Sequence, residues 1–171
     1  MIQFMREFAM PNHETFSLPP VSRLLDRWLQ GAGVVVDPFA RNSKRGTVTN
    51  DLNPQTEALY HLPAEEFLAG LDIRADVALF DPPYSPRQIS ECYQSVGRKV
   101  TTQDTQNGRL NRIVKDELHR LLKPGGIAIC CGWNSMGLGL ARGYEMLEIL
   151  LVTHGGPHND TIVTVERKPE Q

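Results

Sequence analysis

Apolar residues recur at 21, 24, 25, 28 and 29, a spacing that predicts a helix over residues 21–29 closed by Gly31 and Gly33. Val34-Val35-Val36 follows, wholly apolar and β-branched, and runs into Asp37; such a run predicts a strand buried on both faces. Residues 46–50 predict a second strand, 58–62 a weaker third, and 77–80 a fourth that again ends in an aspartate, Asp81. Leu110, Ile113, Val114, Leu118, Leu121 and Leu122 mark one side of an amphipathic helix, stopped by Lys123-Pro124-Gly125-Gly126. A fifth strand is expected over 127–132. Residues 144–153 and 161–166 predict two more, and the seven residues between them suit an antiparallel hairpin.

Strands alternating with helical or linking segments predict an α/β fold: one doubly wound, mostly parallel sheet of about seven strands with an antiparallel last strand. Residues 1–32 read as an N-terminal helical lead-in. Only residues 38–46 separate Asp37 from Thr47, too few for a full crossover helix, so the first crossover is expected to be shortened. In such sheets ligands bind beyond the carboxyl ends of the strands, where Asp37, Asp51 and Asp81 all fall. No core-packing argument requires acids there.

The length of 171 residues suits a single domain with a sizeable core, and no second unit is expected. A hydrophobic share of 40% and a charged share of 22% exclude a disordered or fibrous chain. A net charge of −2 excludes a histone-like binder, so any nucleic-acid contact must come from a local patch. Residues 97–112, with Arg98, Lys99, Arg109 and Arg112 against Asp104, are the long polar stretch that fits a mobile substrate loop, against a plain solvated linker. Arg41, Lys44 and Arg45 make a smaller basic cluster. Cys92, Cys130 and Cys131 lack metal-type spacing and read as free thiols, so no metal is expected. With no secretory signal and no apolar run of membrane-spanning length, a cytoplasmic protein without membrane contact is expected.

Asp81-Pro82-Pro83-Tyr84 directly after a strand carries the most chemical information. Two prolines fix the backbone and leave a carbonyl with no competing local amide. That carbonyl and the Asp81 carboxylate supply two acceptors, and the Tyr84 ring a flat stacking surface. A planar ring with a primary amine fits such a set, as an exocyclic amino group on a flipped base would. The plainer alternative is a strand followed by a rigid turn.

This tetrapeptide resembles the catalytic motif of S-adenosylmethionine-dependent amino-group DNA methyltransferases, and the chain is similar to the small adenine-specific methylases of phages and prophages. Asp37-Pro38-Phe39-Ala40 resembles their cofactor motif, Asn50-Asp51-Leu52-Asn53-Pro54 the following one, and Ala64-Glu65-Glu66-Phe67-Leu68 the segment lying against the cofactor adenine. Residues 15–29 resemble the helix that precedes the cofactor motif in circularly ordered members. The resemblance implies N6-adenine methylation of duplex DNA with base flipping. It makes Asp81, Pro82, Pro83 and Tyr84 catalytic. Thr15, Phe16, Ser17, Asp37, Pro38, Phe39, Ala40, Asn42, Asp51, Leu52, Ala64, Glu65 and Asp81 would bind S-adenosylmethionine. Tyr84, Arg98, Lys99, Trp133, Asn134 and His158 would meet the substrate, and His154 shares the loop of His158.

Three departures stand out. Arg41-Asn42-Ser43 replace the family's glycines, with Asn42 the residue able to take glycine's left-handed conformation. The first crossover is short, and Pro63 stands where the family has aspartate. The chain also has no room for a target-recognition region, which implies short or relaxed specificity, a specificity partner or a homodimer. Methylation of N4-cytosine or of RNA, and a degenerate fold that binds without catalysis, remain open alternatives on the residues.

Overall fold

The computed structural model describes residues 1–83, 86–97 and 107–170. Among them, seven strands form one sheet: β1 (Gln3–Phe8), β2 (Val35–Asp37), β3 (Val48–Thr49), β4 (Ala75–Phe80), β5 (Leu122–Gly132), β6 (Glu145–Thr153) and β7 (Thr161–Arg167). Their spatial order is β1-β6-β7-β5-β4-β2-β3. Every neighbouring pair is parallel except those of β7, which runs antiparallel to β5 and β6. The doubly wound sheet with an antiparallel last strand is therefore the fold of this chain.

Helices α1 (Pro19–Trp28), α2 (Ala64–Ala69), α3 (Pro86–Ser95) and α4 (Asn107–Leu121) complete it. Pro19 and Pro20 start α1, where the amide they lack has no helical partner to lose. The helix turns Val21, Leu24 and Leu25 onto Val35, Val77, Leu79, Ile129, Leu150 and Val163 on one sheet face. On the other, Phe67 and Leu68 of α2 and Val114, Leu118 and Leu121 of α4 cover Val36, Ala78, Phe80, Ala128 and Cys130. Strands β2 and β4 are thus buried on both faces, which explains their unbroken apolar runs. Glu148 of β6, itself buried, accepts from Arg27 at 2.6 Å and from the Trp28 indole at 2.8 Å, tying α1 to the sheet.

Several expectations need correction. Residues 1–32 are not a purely helical lead-in, because β1 pairs in parallel with β6 and becomes the sheet edge. Its apolar residues at 4, 5 and 8 do not alternate, and Phe4 and Phe8 face solvent, so no strand period shows. Residues 58–62 form no strand but one bridge, Asn50 to Tyr60, and leave Leu59, Tyr60 and Leu62 exposed. Pro54 and Pro63 bracket that segment and limit its pairing. Residues 107–112 open α4 and are not loop, while Arg98 and Lys99 lie outside the described residues. Lys123–Gly126 does not precede β5 but bulges within it: Leu122 pairs with Ala75, and pairing resumes at Ile127 with Val77. The short β2–β3 crossover has no helix, as expected. The β5–β6 connection likewise has only one helical turn, Leu140–Arg142.

Candidate functional site

Because β2, β3 and β4 run parallel, they deliver Asp37, Asp51 and Asp81 to one edge of the sheet. A cavity of about 610 Å³ opens there, within the usual range for small-molecule sites. The β2 loop contributes Pro38, Phe39 and Arg41, and the β3 loop Asn50 to Asn53. Leu62 to Glu65 close a third side, and Asp81 to Pro83 the fourth. Asn12, His13 and Thr15 reach in from the segment before α1, and Cys92, Tyr93 and Leu110 from α3 and α4.

Asp37 lies beneath this wall, not on it. Its Oδ1 accepts the Phe39 amide at 3.1 Å, while Oδ2 is buried without a hydrogen-bond partner. Burial pushes the carboxyl from 3.8 up to about 8, and the neighbouring Asp81 and Asp51 add to the effect. Glu65 Oε2, at the start of α2, is likewise buried and unpartnered. Buried carboxylate oxygens without donors are costly, so a site carrying two of them is suited to a ligand that brings positive charge or hydrogen-bond donors.

Asp51 is held by the chain from both sides. Its Oδ1 accepts the Asn53 amide at 2.9 Å and its Oδ2 the Arg41 amide at 3.0 Å, which leaves further lone pairs for hydroxyl donors. Arg41 has φ of 50°, the sole non-glycine residue with positive φ among those described. The left-handed position expected of Asn42 thus belongs to Arg41. Asn42 instead accepts the Glu57 amide through Oδ1 at 3.1 Å. The Arg41 guanidinium donates to the His13 carbonyl and joins the β2 loop to the segment before α1.

Asn50, which the sequence reading did not single out for a role of its own, is the buried staple of the cavity. Its amide group donates to the carbonyls of Pro38 at 3.1 Å and Leu62 at 3.0 Å, and its Oδ1 accepts the Leu62 amide at 3.0 Å. A polar residue at the carboxyl end of a predicted strand was the available signal. Pro63 precedes α2 as its N-cap and is buried in the wall.

Of the expected cofactor residues, Thr15, Pro38, Phe39, Asp51, Leu52, Ala64, Glu65 and Asp81 line the cavity. Phe16 is instead packed in the core, Ala40 is buried with its amide on the Asn50 carbonyl, and Ser17 bonds Asn12 and the Glu14 carbonyl. None of these three lines the cavity. Asp81, Pro82 and Pro83 line the cavity as a unit, with Pro82 buried; Tyr84 lies outside the described residues. Trp133, 46% exposed, and Asn134 follow β5 but are not in the cavity wall. Asn134 caps its own turn through the Met136 amide at 3.0 Å.

His158 is exposed on the β6–β7 hairpin. His154 is no ligand contact: it is buried, with Nδ1 2.7 Å from the Ala9 carbonyl and Nε2 2.8 Å from Thr161 Oγ1. The small basic cluster is largely consumed within the chain, because Lys44 pairs with Glu57 at 3.0 Å and Arg45 with Asp26. Cys130 and Cys131 are buried, and burial pushes the Cys130 thiol up to about 12.

No family model and no curated protein matches this sequence. The fold, however, is shared with solved structures. N-methyltransferase NodS from Bradyrhizobium japonicum WM9 superposes with a TM-score of 0.59 at 12% identity over 87% of this chain and 94% of that one. Its complex with S-adenosyl-L-homocysteine gives 0.55 at 10% identity, covering 94% of each chain. TrmN from Thermus thermophilus gives 0.56 at 18% identity over 88% of this chain and 49% of that chain. NSun6 from Pyrococcus horikoshii gives 0.59 at 14% identity, covering 88% and 52%.

Proposed function

We propose that this chain is an S-adenosylmethionine-dependent methyltransferase acting on the N6 amino group of adenine in DNA, with short or relaxed sequence specificity. The observation that carries this reading is the meeting of Asp81-Pro82-Pro83 with Asp51 and Glu65 around one cavity, above the buried carboxyl of Asp37. The fold shared with an N-methyltransferase supports the same reaction class.

The donor set fits the cofactor. The acid-rich wall, with the unpartnered Glu65 Oε2 on it and the buried Asp37 carboxyl beneath it, matches a ligand bearing a sulfonium and an ammonium group. Asp51, already oriented by two backbone amides, would accept from ribose hydroxyls. Pro38, Phe39, Leu52 and Leu62 supply apolar surface for the adenine. When bound, S-adenosylmethionine supplies a methyl group made electrophilic by the positive sulfur.

The chain's own part is to hold the acceptor. Asp81 and the Pro82 carbonyl accept the two N–H bonds of the exocyclic amine, which fixes the nitrogen and turns its lone pair into the cavity. Pro82, buried and unable to donate, keeps its carbonyl fixed for this purpose. Tyr84 would stack on the extruded base. Asp81, beside the buried carboxyl of Asp37, also stabilises positive charge that develops on the amine. A base can meet Asp81 only outside the duplex stack, so extrusion belongs to the reading.

The test is transfer of tritiated methyl from S-adenosylmethionine to unmethylated duplex DNA, single-stranded DNA and RNA, with nucleoside analysis. Label in N6-methyladenine of DNA is expected. Label in N4-methylcytosine or in RNA alone would reassign the acceptor, and absence of label with no cofactor binding would leave a degenerate fold.

A further inference from the structure

Two walls of the cavity come from distant parts of the chain. One is the loop after β2, with Pro38, Phe39 and Arg41; the other is a strap, residues 10–15, that crosses from β1 toward α1 and brings in Asn12, His13 and Thr15. The strap is anchored at both ends. Before it, the Ala9 amide donates to the Thr153 carbonyl at 3.1 Å, and the Ala9 carbonyl lies 2.7 Å from His154 Nδ1. After it, Phe16 and Leu18 are buried in the α1 core. Between the anchors the turn is shaped from within: Asn12 Oδ1 accepts the Glu14 amide at 2.8 Å, and Asn12 Nδ2 donates to Ser17 Oγ at 2.9 Å. Those bonds give the strap its shape without joining it to the other wall.

Arg41 makes that connection. Its guanidinium donates to the His13 carbonyl, while its main-chain amide donates to Asp51 Oδ2 at 3.0 Å. A single residue thus ties together the β2 loop, the β3 loop and the strap. The neighbouring Lys44 and Arg45 pair with the acids Glu57 and Asp26. Arg41 differs in giving its guanidinium to an uncharged carbonyl of the strap. It does so from a backbone with φ of 50°. A side chain at positive φ is strained, and such strain persists only where the surroundings over-determine it, often at ligand clamps. Glycine takes the same conformation without strain, so the fold alone gives no reason for an arginine here.

We infer that Arg41 is a positioning residue, a latch that fastens the strap to the β2 loop and so keeps Asn12, His13 and Thr15 in the cavity wall. This role rests on the reading of the cavity as a cofactor site, and it concerns affinity for S-adenosylmethionine, not the transfer step. With the latch broken, the strap stays attached at Ala9 and Phe16 but swings between them, and the wall is complete in only a fraction of the molecules. Apparent affinity falls by that fraction. The strained backbone is then the counterpart of a tighter site: the chain gives up some stability at Arg41 to hold its wall together.

Three variants of the full chain, compared by thermal melts, calorimetric binding of S-adenosylmethionine and amide hydrogen exchange, separate the latch from the fold. Arg41→Gly loses the guanidinium and the strain together, so it should melt no lower than wild type yet bind the cofactor about tenfold more weakly. Arg41→Met keeps the stem and the strained backbone without a donor, and should lose affinity by the same factor. Arg41→Lys restores a donor and should recover most of it. In the ligand-free chain, amides of residues 12–15 should exchange at least about tenfold faster in Arg41→Gly and Arg41→Met than in wild type. Three results would each overturn the inference: unchanged exchange of residues 12–15 in Arg41→Met, an affinity of Arg41→Met equal to that of wild type, or an Arg41→Gly variant whose melting temperature falls in step with its affinity. Wild-type protein that binds no cofactor would overturn the proposed function instead, and the exchange of residues 12–15, which needs no ligand, would then decide the latch.

Discussion

At the residue scale, the tension in this molecule sits on Asp37. A carboxyl pushed to about 8 by burial is protonated in the folded chain at neutral pH, whereas in the unfolded chain it ionises near 3.8. The unfolded state therefore binds fewer protons between these values, and the contribution of Asp37 to stability falls as pH rises from about 4 to 8. Asp37→Asn removes that loss and should melt a few degrees higher than wild type at pH 8, with the gap closing toward pH 4; a thermal melt series checks it. Cofactor binding should show the opposite face of the same group. A cationic ligand favours the ionised carboxylate, so wild-type affinity should rise with pH up to about 8 and then level off, while in Asp37→Asn it is weaker and flat. Titration calorimetry in buffers of different ionisation heat would register the proton released below pH 8.

The residue scale also shows what a sequence can and cannot convey. Asp51 and the Asp81-Pro82-Pro83 turn were legible because each follows a predicted strand at its carboxyl end, where such sheets hold their ligands. Arg41 was not legible. Nothing in its side chain favours positive φ, and its conformation is imposed by the amide bond to Asp51 and the guanidinium bond to the His13 carbonyl. The partners of His154 were not legible either: Ala9, far away in sequence, and Thr161, close by, meet its two ring nitrogens.

At the element scale, strands with partners on both faces were readable and those at the margins were not. β2 and β4 announce themselves through the unbroken apolar runs Val34–Val36 and Val77–Phe80, whereas β1 turns only one face to the core and pairs with one neighbour. The same logic explains residues 58–62, whose apolar side chains mark exposed surface near the cavity instead of a strand. The buried Glu148 gives this scale its prediction. It holds Arg27 and Trp28 of α1 on β6, so Glu148→Ala leaves a guanidinium and an indole without their acceptor. The expected cost is about 3 kcal/mol, a fall of roughly 6–12 °C in Tm for a chain of this length, read by thermal or chemical denaturation. Gly137→Ala should also be destabilising, because a Cβ there would lie 2.0 Å from Glu166 in a backbone with φ of 53°.

At the scale of the whole molecule, a chain of net charge −2 must meet a polyanion through a local surface. Lys44 and Arg45 are paired internally, which leaves the exposed Arg109 and Arg112 at the start of α4, near the Leu110 wall of the cavity. The double variant Arg109→Ala/Arg112→Ala should raise KM for nucleic acid about tenfold and flatten its salt dependence by one to two counterions, while cofactor affinity stays the same.

Asp81 is proposed to hold the acceptor amine at the cofactor site, and Asp51 to hold the cofactor itself. The most direct measurement pairs single-turnover methyl transfer to adenine-containing DNA with calorimetric binding of S-adenosylmethionine, for wild type, Asp81→Ala and Asp51→Ala. Asp81→Ala should bind the cofactor within a few-fold of wild type yet lose at least about a hundredfold in transfer, and Asp51→Ala should lose affinity first. Undiminished transfer by Asp81→Ala, or no binding of the cofactor by wild type, would contradict it.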